Sequence, residues 1–263
     1  MSSTFTAGCT LENSYIKMIT VTRMEFILSS KIGGPWEAVM DTARALRFAG
    51  VEWDLNIHAI NMFGTKKIRL SDDLKHFFHA PWKYCNPFSA EQGIAEASMY
   101  FIEMMFKKIN ELNGHYVVMH ISGNTLSEEI LDTAYRIVKI AEEYGITIAY
   151  ENLRKGISSD PEKMERILAT SGARMVFDIG HAAANKDKIP VFRYFNMVKK
   201  YIIGTHLYGI ETKDGHVPLM ERMHEKTLKG IKELNLEWNT IELTSLRDII
   251  MTRKIVEEII SSI

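Results

Sequence analysis

Residues 116–151, YVVMHISGNTLSEEILDTAYRIVKIAEEYGITIAYE, hold two apolar runs separated by one amphipathic stretch. The runs, 116–121 and 146–150, have the length and β-branched content of buried strands. Between them Thr125 and Glu128 have the spacing of a capping box, in which the two side chains satisfy N–H groups left unbonded at a helix start. Ile130, Ala134, Ile137, Val138 and Ala141 then recur on one helical face, and Gly145 supplies a left-handed stop. Strand, helix and strand at this spacing make one βαβ unit, whose strands run parallel.

The same rhythm extends in both directions. Further strand-like runs lie at 25–28, 51–55, 76–79, 174–178, 202–206 and 239–243, which makes eight in all. Ser89 with Gln92 reads as a second capping box before a helix over 94–112, followed by Gly114. Asp160 and Pro161 pair a cap with proline at the first helical position, and Gly172 ends that helix. Residues 246–260 form the last helix. The stretch 56–75 lacks long periodicity and predicts a short helix or an irregular segment. Eight strands could close into a barrel or form an open doubly wound sheet. The open sheet normally carries a glycine-rich phosphate turn after its first strand. Here Ser29-Ser30-Lys31-Ile32-Gly33-Gly34 follows, which does not fit GxGxxG. The expectation is a single (β/α)8 barrel over 23–263 with an N-terminal extension at 1–22, since the pattern begins near Met24. Translation starting at Met18 or Met24 is the alternative reading of that extension.

A length of 263 residues is normal for a one-domain α/β barrel. Lys and Arg number 32 against 33 Asp and Glu, a formal net charge of −1, so there is no overall pull toward nucleic acid or anionic membrane. Cys9 and Cys85 are far apart and give neither a disulfide framework nor zinc-ribbon spacing. No basic, then apolar, leader opens the chain, and no apolar stretch approaches the roughly 18 residues of a membrane span. A cytoplasmic protein is expected; assembly as a homo-oligomer is left open.

The residues that close the strands carry the chemistry. Strand three ends at His79, strand four at His120, strand five at Glu151, strand six at Asp178, strand seven at His206 and strand eight at Glu242. In a parallel barrel these ends converge on one mouth, where chemistry is usually placed. Gathered there, they would suffer desolvation and mutual repulsion unless a cation neutralised them. Mixed imidazole and carboxylate suits zinc, manganese, cobalt or iron and not a calcium cage. Singly, such a residue is more often a cap or a hydrogen-bonded core group than a ligand; the repetition on successive strands points to metal. Just beyond, His181 follows Asp178 by three residues, and Asp214-Gly215-His216 offers two further donors or a solvated turn.

The stretches His79-Ala80-Pro81, His120, Tyr150-Glu151-Asn152-Leu153, Phe177-Asp178-Ile179-Gly180-His181, Thr205-His206-Leu207, Asp214-Gly215-His216-Val217-Pro218-Leu219 and Ile241-Glu242 resemble the xylose-isomerase-like barrel superfamily. That group is shared by sugar-phosphate isomerases and epimerases and by family-2 apurinic endonucleases such as endonuclease IV. In the isomerase branch the resemblance implies one divalent metal on Glu151, Asp178, His206 and Glu242. Glu151 and Glu242 would move a proton on and off a carbon beside a carbonyl, with His181 at the sugar and His79 and His120 nearby as substrate contacts. In the endonuclease branch it implies three ions. His79, His120 and Glu151 hold one; Glu151, Asp178, His206 and Glu242 the second; His181, Asp214 and His216 the third. Water would then be activated against a phosphodiester.

Departures exist on both sides. Asp178-Ile179-Gly180-His181 is the isomerase-like form of that motif, where the endonucleases typically show Asp-Thr-Cys-His. The loop after His206 is short, and His79-Ala80-Pro81-Trp82 departs from the His-x-x-Tyr of the endonucleases. Against the isomerases, Met220-Glu221-Arg222 stands where many carry Gly-x-Gly, and strand two ends in Asp54 where Glu is common. Arg154 and Lys155 read as a grip for a sugar phosphate or as a solvated loop. The reading taken is a metal-dependent sugar or sugar-phosphate isomerase or epimerase holding one to three ions, its partner a small sugar. The alternative is a phosphodiesterase acting at abasic DNA sites, and a non-enzymatic ligand-binding barrel is the third. Metal near one equivalent favours the isomerase and near three the endonuclease.

Overall fold

The structure is a computed structural model and describes residues 24–64, 68–185, 187–234 and 236–262. The extension expected at 1–22 lies outside them. Eight parallel strands form a closed barrel: β1 (Phe26–Ser29), β2 (Gly50–Asp54), β3 (Lys75–His79), β4 (Tyr116–His120), β5 (Thr147–Glu151), β6 (Arg174–Asp178), β7 (Ile202–Leu207) and β10 (Trp238–Ile241). Their order around it is β1-β10-β7-β6-β5-β4-β3-β2. Outside them run α1 (Trp36–Ala45), α2 (Leu55–Phe63), α3 (Gln92–Glu111), α4 (Glu128–Glu143), α5 (Pro161–Ser171), α6 (Ile179–Ala183), α7 (Val191–Val198), α8 (Glu225–Lys232) and α9 (Leu246–Ser261). The weakly patterned second unit is thus a short helix, α2, that starts as soon as β2 ends. A small antiparallel hairpin, β8 (Ile210–Thr212) and β9 (Gly215–Val217), stands after β7 and was not expected.

Two helix starts differ from the sequence reading. The cap of α4 is Ser127, whose hydroxyl accepts the Ile130 N–H, rather than Thr125. Starting there places Glu128 and Glu129 in the first turn, where the helix dipole favours them. Ser89 accepts the Glu91 N–H in a local turn, and α3 begins just after it with no side-chain cap. By contrast Asp160 caps α5 through the Glu162 and Lys163 N–H groups, and Gly172 ends it in the left-handed region.

Strand periodicity explains how the mouth is built. Ile27, Phe77, Val118, Ala149, Val176 and Trp238 form a buried cluster inside the barrel. Side chains two residues apart on a strand share a face. One step up from Phe77, Val118, Ala149 and Val176 come His79, His120, Glu151 and Asp178. Register joins them: His120 pairs with Glu151 and Asp178 with His206. The apolar layer is therefore the floor under the polar ring. Trp238 fills it only because Gly204 opposes it, since a Cβ at Gly204 would lie 2.4 Å from the indole. The alternate residues, among them Phe78, Met119, Tyr150, Met175 and Phe177, face outward into the larger core beneath the helices.

Gly180 has a comparable role at the mouth. A Cβ there would lie 2.0 Å from Tyr208, a fully buried ring stacked on His216 at 3.9 Å and 6°. We predict that Gly180→Ala lowers stability by about 1–3 kcal/mol, the usual range for overpacking. Urea denaturation would measure it, and an unchanged midpoint would show that Tyr208 is free to move.

Candidate metal centre

Glu151, Asp178, His206 and Glu242 are all buried and offer ligand atoms that lie within 4.8 Å of one another. His206 Nδ1 stands 3.3 Å from Glu151 Oε1 and 3.6 Å from both Asp178 Oδ2 and Glu242 Oε2. Each is held by a local device. Asp178 Oδ1 accepts the His181 N–H as the cap of α6, while Asn152 bonds both the N–H and the C=O of Asp178. His206 Nε2 lies 2.9 Å from Glu52 Oε1, and Glu52 Oε2 accepts the Thr240 hydroxyl. Lys31, in the turn after β1, puts Nζ 2.6 Å from Glu242 Oε1.

Fit to a cation can be tested on these atoms. Asp178 Oδ2 and His206 Nδ1 are fully buried and have no hydrogen-bond partner among the described residues. Buried polar atoms without partners are rare and costly. Both belong to the same four-residue group, whose three carboxylates to one imidazole suit a divalent ion. The electrostatics agree. Burial opposes ionisation of Glu242, yet Lys31, His206 and His216 outweigh it and hold the carboxyl well below its usual range. Burial also opposes Glu151, and His206 and His120 hold it low in the same way. Burial, reinforced by the Glu151 charge, pushes Asp178 up against the opposing pull of His181 and His206.

A second group shares Glu151. His79 Nε2 and His120 Nε2 each lie 3.0 Å from Glu151 Oε2. The two oxygens of Glu151 thus serve different donor sets, Oε2 with His79 and His120, Oε1 beside His206. Burial lowers the His79 imidazole, but Glu151, Asp54 and Glu242 raise it on balance to about 9. Burial lowers His120, and His79 beside it adds to the effect, since one shared oxygen serves both rings. Trp82, half exposed, stacks on His120 at 6.0 Å and forms part of the rim.

The third group is His181, Glu211 and His216. Asp214, read from the sequence as its carboxylate, is exposed at the hairpin tip, and Glu211 stands in its place. Glu52, Lys31 and Glu211 were therefore missed from the sequence. Glu52 was legible, being the inward residue one step below Asp54 on β2. A concavity of about 520 Å³ lies at the opposite end of the barrel, lined in part by Lys75, His76, His115 and Tyr116. Both ring nitrogens of its His76 are already bonded, to Trp53 Nε1 and to the Ser71 carbonyl, and no metal-binding group of the described residues falls there.

The sequence profile of the xylose isomerase-like TIM barrel matches residues 40–250. The chain belongs to that family. Two proteins of Methanocaldococcus jannaschii are similar in sequence. Uncharacterized protein MJ1311 is 24% identical over 266 residues, with 89% of each chain covered. Uncharacterized protein MJ0008 is 24% identical over 148 residues, 54% of this chain and 66%, just under two thirds, of that one. Among solved structures, a D-tagatose 3-epimerase-like protein superimposes with a TM-score of 0.67 at 22% identity, covering 91% of this chain and 98% of that one. The IOLI protein with a bound zinc atom gives 0.69 at 16% identity, with 91% and 99% covered. Endonuclease IV of Thermus thermophilus gives 0.68 at 16%, with 91% and 100% covered. At these identities the likeness shows a shared barrel fold. Among the described residues no helix is long and apolar enough to cross a membrane.

Proposed function

We propose that residues 23–263 form a divalent-metal-dependent isomerase or epimerase of a sugar or sugar phosphate, working in the cytoplasm. The carrying observation is the paired placement of Glu151 and Glu242. Each puts one oxygen beside His206 Nδ1 and keeps the other on a cationic or imidazole partner. The epimerase-like fold neighbour and the zinc of the IOLI protein support this reading.

Glu151, Asp178, His206 and Glu242 would hold the ion, which supplies Lewis acidity to the carbonyl and hydroxyl oxygens of a sugar. Both glutamates are carboxylates, the form needed to accept a proton. One removes the proton from the carbon beside the carbonyl, and the C–H electron pair moves onto the carbonyl oxygen. The proton is returned to the opposite face for epimerisation, or to the neighbouring carbon for isomerisation. His181, His79 and His120 border the same space and contact the substrate. Lys31 keeps Glu242 Oε1 occupied, so that Glu242 presents Oε2.

The test is exchange. The metal-loaded chain is incubated in D2O with a panel of ketoses and ketose phosphates. We expect deuterium at the carbon beside the carbonyl in at least one of them, and none with Glu242→Gln.

One observation favours a second reading, a phosphodiesterase acting at abasic DNA sites. Glu151 divides its two oxygens between two donor groups, as a carboxylate bridging two ions would. With three donor groups present, an ion count does not separate the readings, but the reaction does. Nicking of an abasic duplex, with no exchange across the sugar panel, would replace the first reading by the second.

A further inference from the structure

We infer that Tyr208 is a positioning residue of the four-residue metal group, its hydroxyl donating a hydrogen bond to Asp178 Oδ2 once an ion engages that carboxylate. The inference rests on the metal reading of Glu151, Asp178, His206 and Glu242, and holds whichever reaction the ion serves.

Placement is the first support. Tyr208 stands two residues after His206, so it continues the inward face of β7 just past the strand end. Its ring is fully buried, and His216 stacks on it at 3.9 Å and 6°. Gly180 makes the other close contact: a Cβ there would lie 2.4 Å from Tyr208 Cζ, the carbon that carries the hydroxyl. Gly180 belongs to the first turn of α6, and Asp178 is the cap of that helix. The hydroxyl is thereby brought to the Asp178 carboxylate, with the charges of Glu242 and Glu151 also acting on it.

Two unpaired atoms are the second support. The Tyr208 hydroxyl and Asp178 Oδ2 are both buried and both lack a hydrogen-bond partner among the described residues. Asp178 Oδ1 already accepts the His181 N–H at 2.6 Å, so Oδ2 is the oxygen left for an ion. A carboxylate oxygen has two lone pairs; an ion on one leaves the other for an O–H donor. Burial and the three carboxylates disfavour the phenolate, so Tyr208 serves as a donor and not as an anionic ligand. Sealed from solvent, the hydroxyl does not reach a substrate and acts through Asp178. Hydrogen bonds that orient metal ligands commonly change affinity by about 10- to 100-fold.

The two observations give opposite signs with and without the ion. Without it, an orphaned hydroxyl costs stability; with it, the same hydroxyl holds a ligand in place.

The experiment titrates the metal-free full-length chain with Co2+, followed by calorimetry and visible absorption. Wild type, Tyr208→Phe, Asp178→Asn and the double variant are compared. Asp178→Asn marks the binding class that depends on this carboxylate, since asparagine removes the charge and still caps α6. Tyr208→Phe keeps the ring against His216 and Gly180, and should weaken that class by about 10- to 100-fold and alter its visible band. Its metal-free urea midpoint should equal or exceed that of wild type, because the deleted oxygen had no partner. A purely structural hydroxyl predicts the reverse, a lower midpoint with unchanged affinity. In the Asp178→Asn background, Tyr208→Phe should change affinity by less than about twofold, as for two groups acting through one contact. Unchanged Co2+ affinity in Tyr208→Phe, a lower metal-free midpoint, or a full tenfold loss on top of Asp178→Asn would each overturn the inference. A wild type with no binding class sensitive to Asp178→Asn would remove the metal group itself, and the role of Tyr208 with it.

Discussion

Glu151→Gln should lower turnover by about a thousandfold or more, the usual effect of removing a metal-bound proton-transfer group, and should reduce the bound metal by at least one equivalent. The size follows from how many partners depend on one charge. Glu151 Oε2 is 3.0 Å from His79 and His120, and Oε1 is 3.1 Å from His181 and 3.3 Å from His206. Glutamine keeps the shape and one acceptor, but its amide nitrogen must face two of these rings as a donor. The neutral oxygen is also a weaker ligand for a hard or borderline cation. The barrel itself should persist, because the apolar floor of Phe77, Val118, Ala149, Val176 and Trp238 is untouched. Elemental analysis and the deuterium-exchange assay read the two effects separately. Full metal content with turnover within tenfold of wild type would end the assignment of Glu151 as both ligand and base.

Much of this was legible because a barrel strand has a strict period of two and a fixed direction. Once 116–151 reads as a parallel unit, His120 and Glu151 must emerge at the same end, and the other strand ends join them. What escaped was set by register or by turns. Glu52 faces inward one step below the strand end, where a rule about last residues does not look. Lys31 belongs to a short turn whose direction no periodicity fixes. The Asp-x-His spacing at 214–216 suggested adjacent donors, yet Asp-Gly is also a strong hairpin-turn signal. Asp-Gly as the two turn residues would put Lys213 opposite His216. The turn is instead Lys213-Asp214, with Gly215 paired to Thr212, which makes Glu211, five residues before His216, the residue across the ladder. The cap of α4 moved from Thr125 to Ser127 for a similar reason: Ser and Thr near a helix start compete for the same N–H groups, and two glutamates next to Ser127 decide it.

Metal binding should release protons, and its affinity should rise with pH by about tenfold per unit for each proton displaced. In the metal-free chain burial lowers the buried imidazoles and prevails at His120, but at His79, His181 and His206 nearby carboxylates outweigh it. They hold His79 up at about 9, His181 up at about 10 and His206 well above its ordinary value. A nitrogen that carries a proton cannot bind an ion, so the ion must displace protons that the carboxylates retain at neutral pH. The same shifts fix the sign of the stability change without metal. Folded-state values above the unfolded 6.5 give stabilisation that is complete below pH 6.5 and is lost as pH rises through 9 to 10. The metal-free chain should therefore lose melting temperature from neutral toward alkaline pH. The metal-loaded chain should gain relative to it over the same window, since the ion takes over the role of the lost protons. Calorimetric titration with Zn2+ in two buffers of different ionisation enthalpy should show at least one proton released per ion at pH 7. Affinity independent of pH between 6 and 8, with no buffer dependence of the heat, would mean that these imidazoles are already neutral and that the carboxylates around them are not what holds the protons.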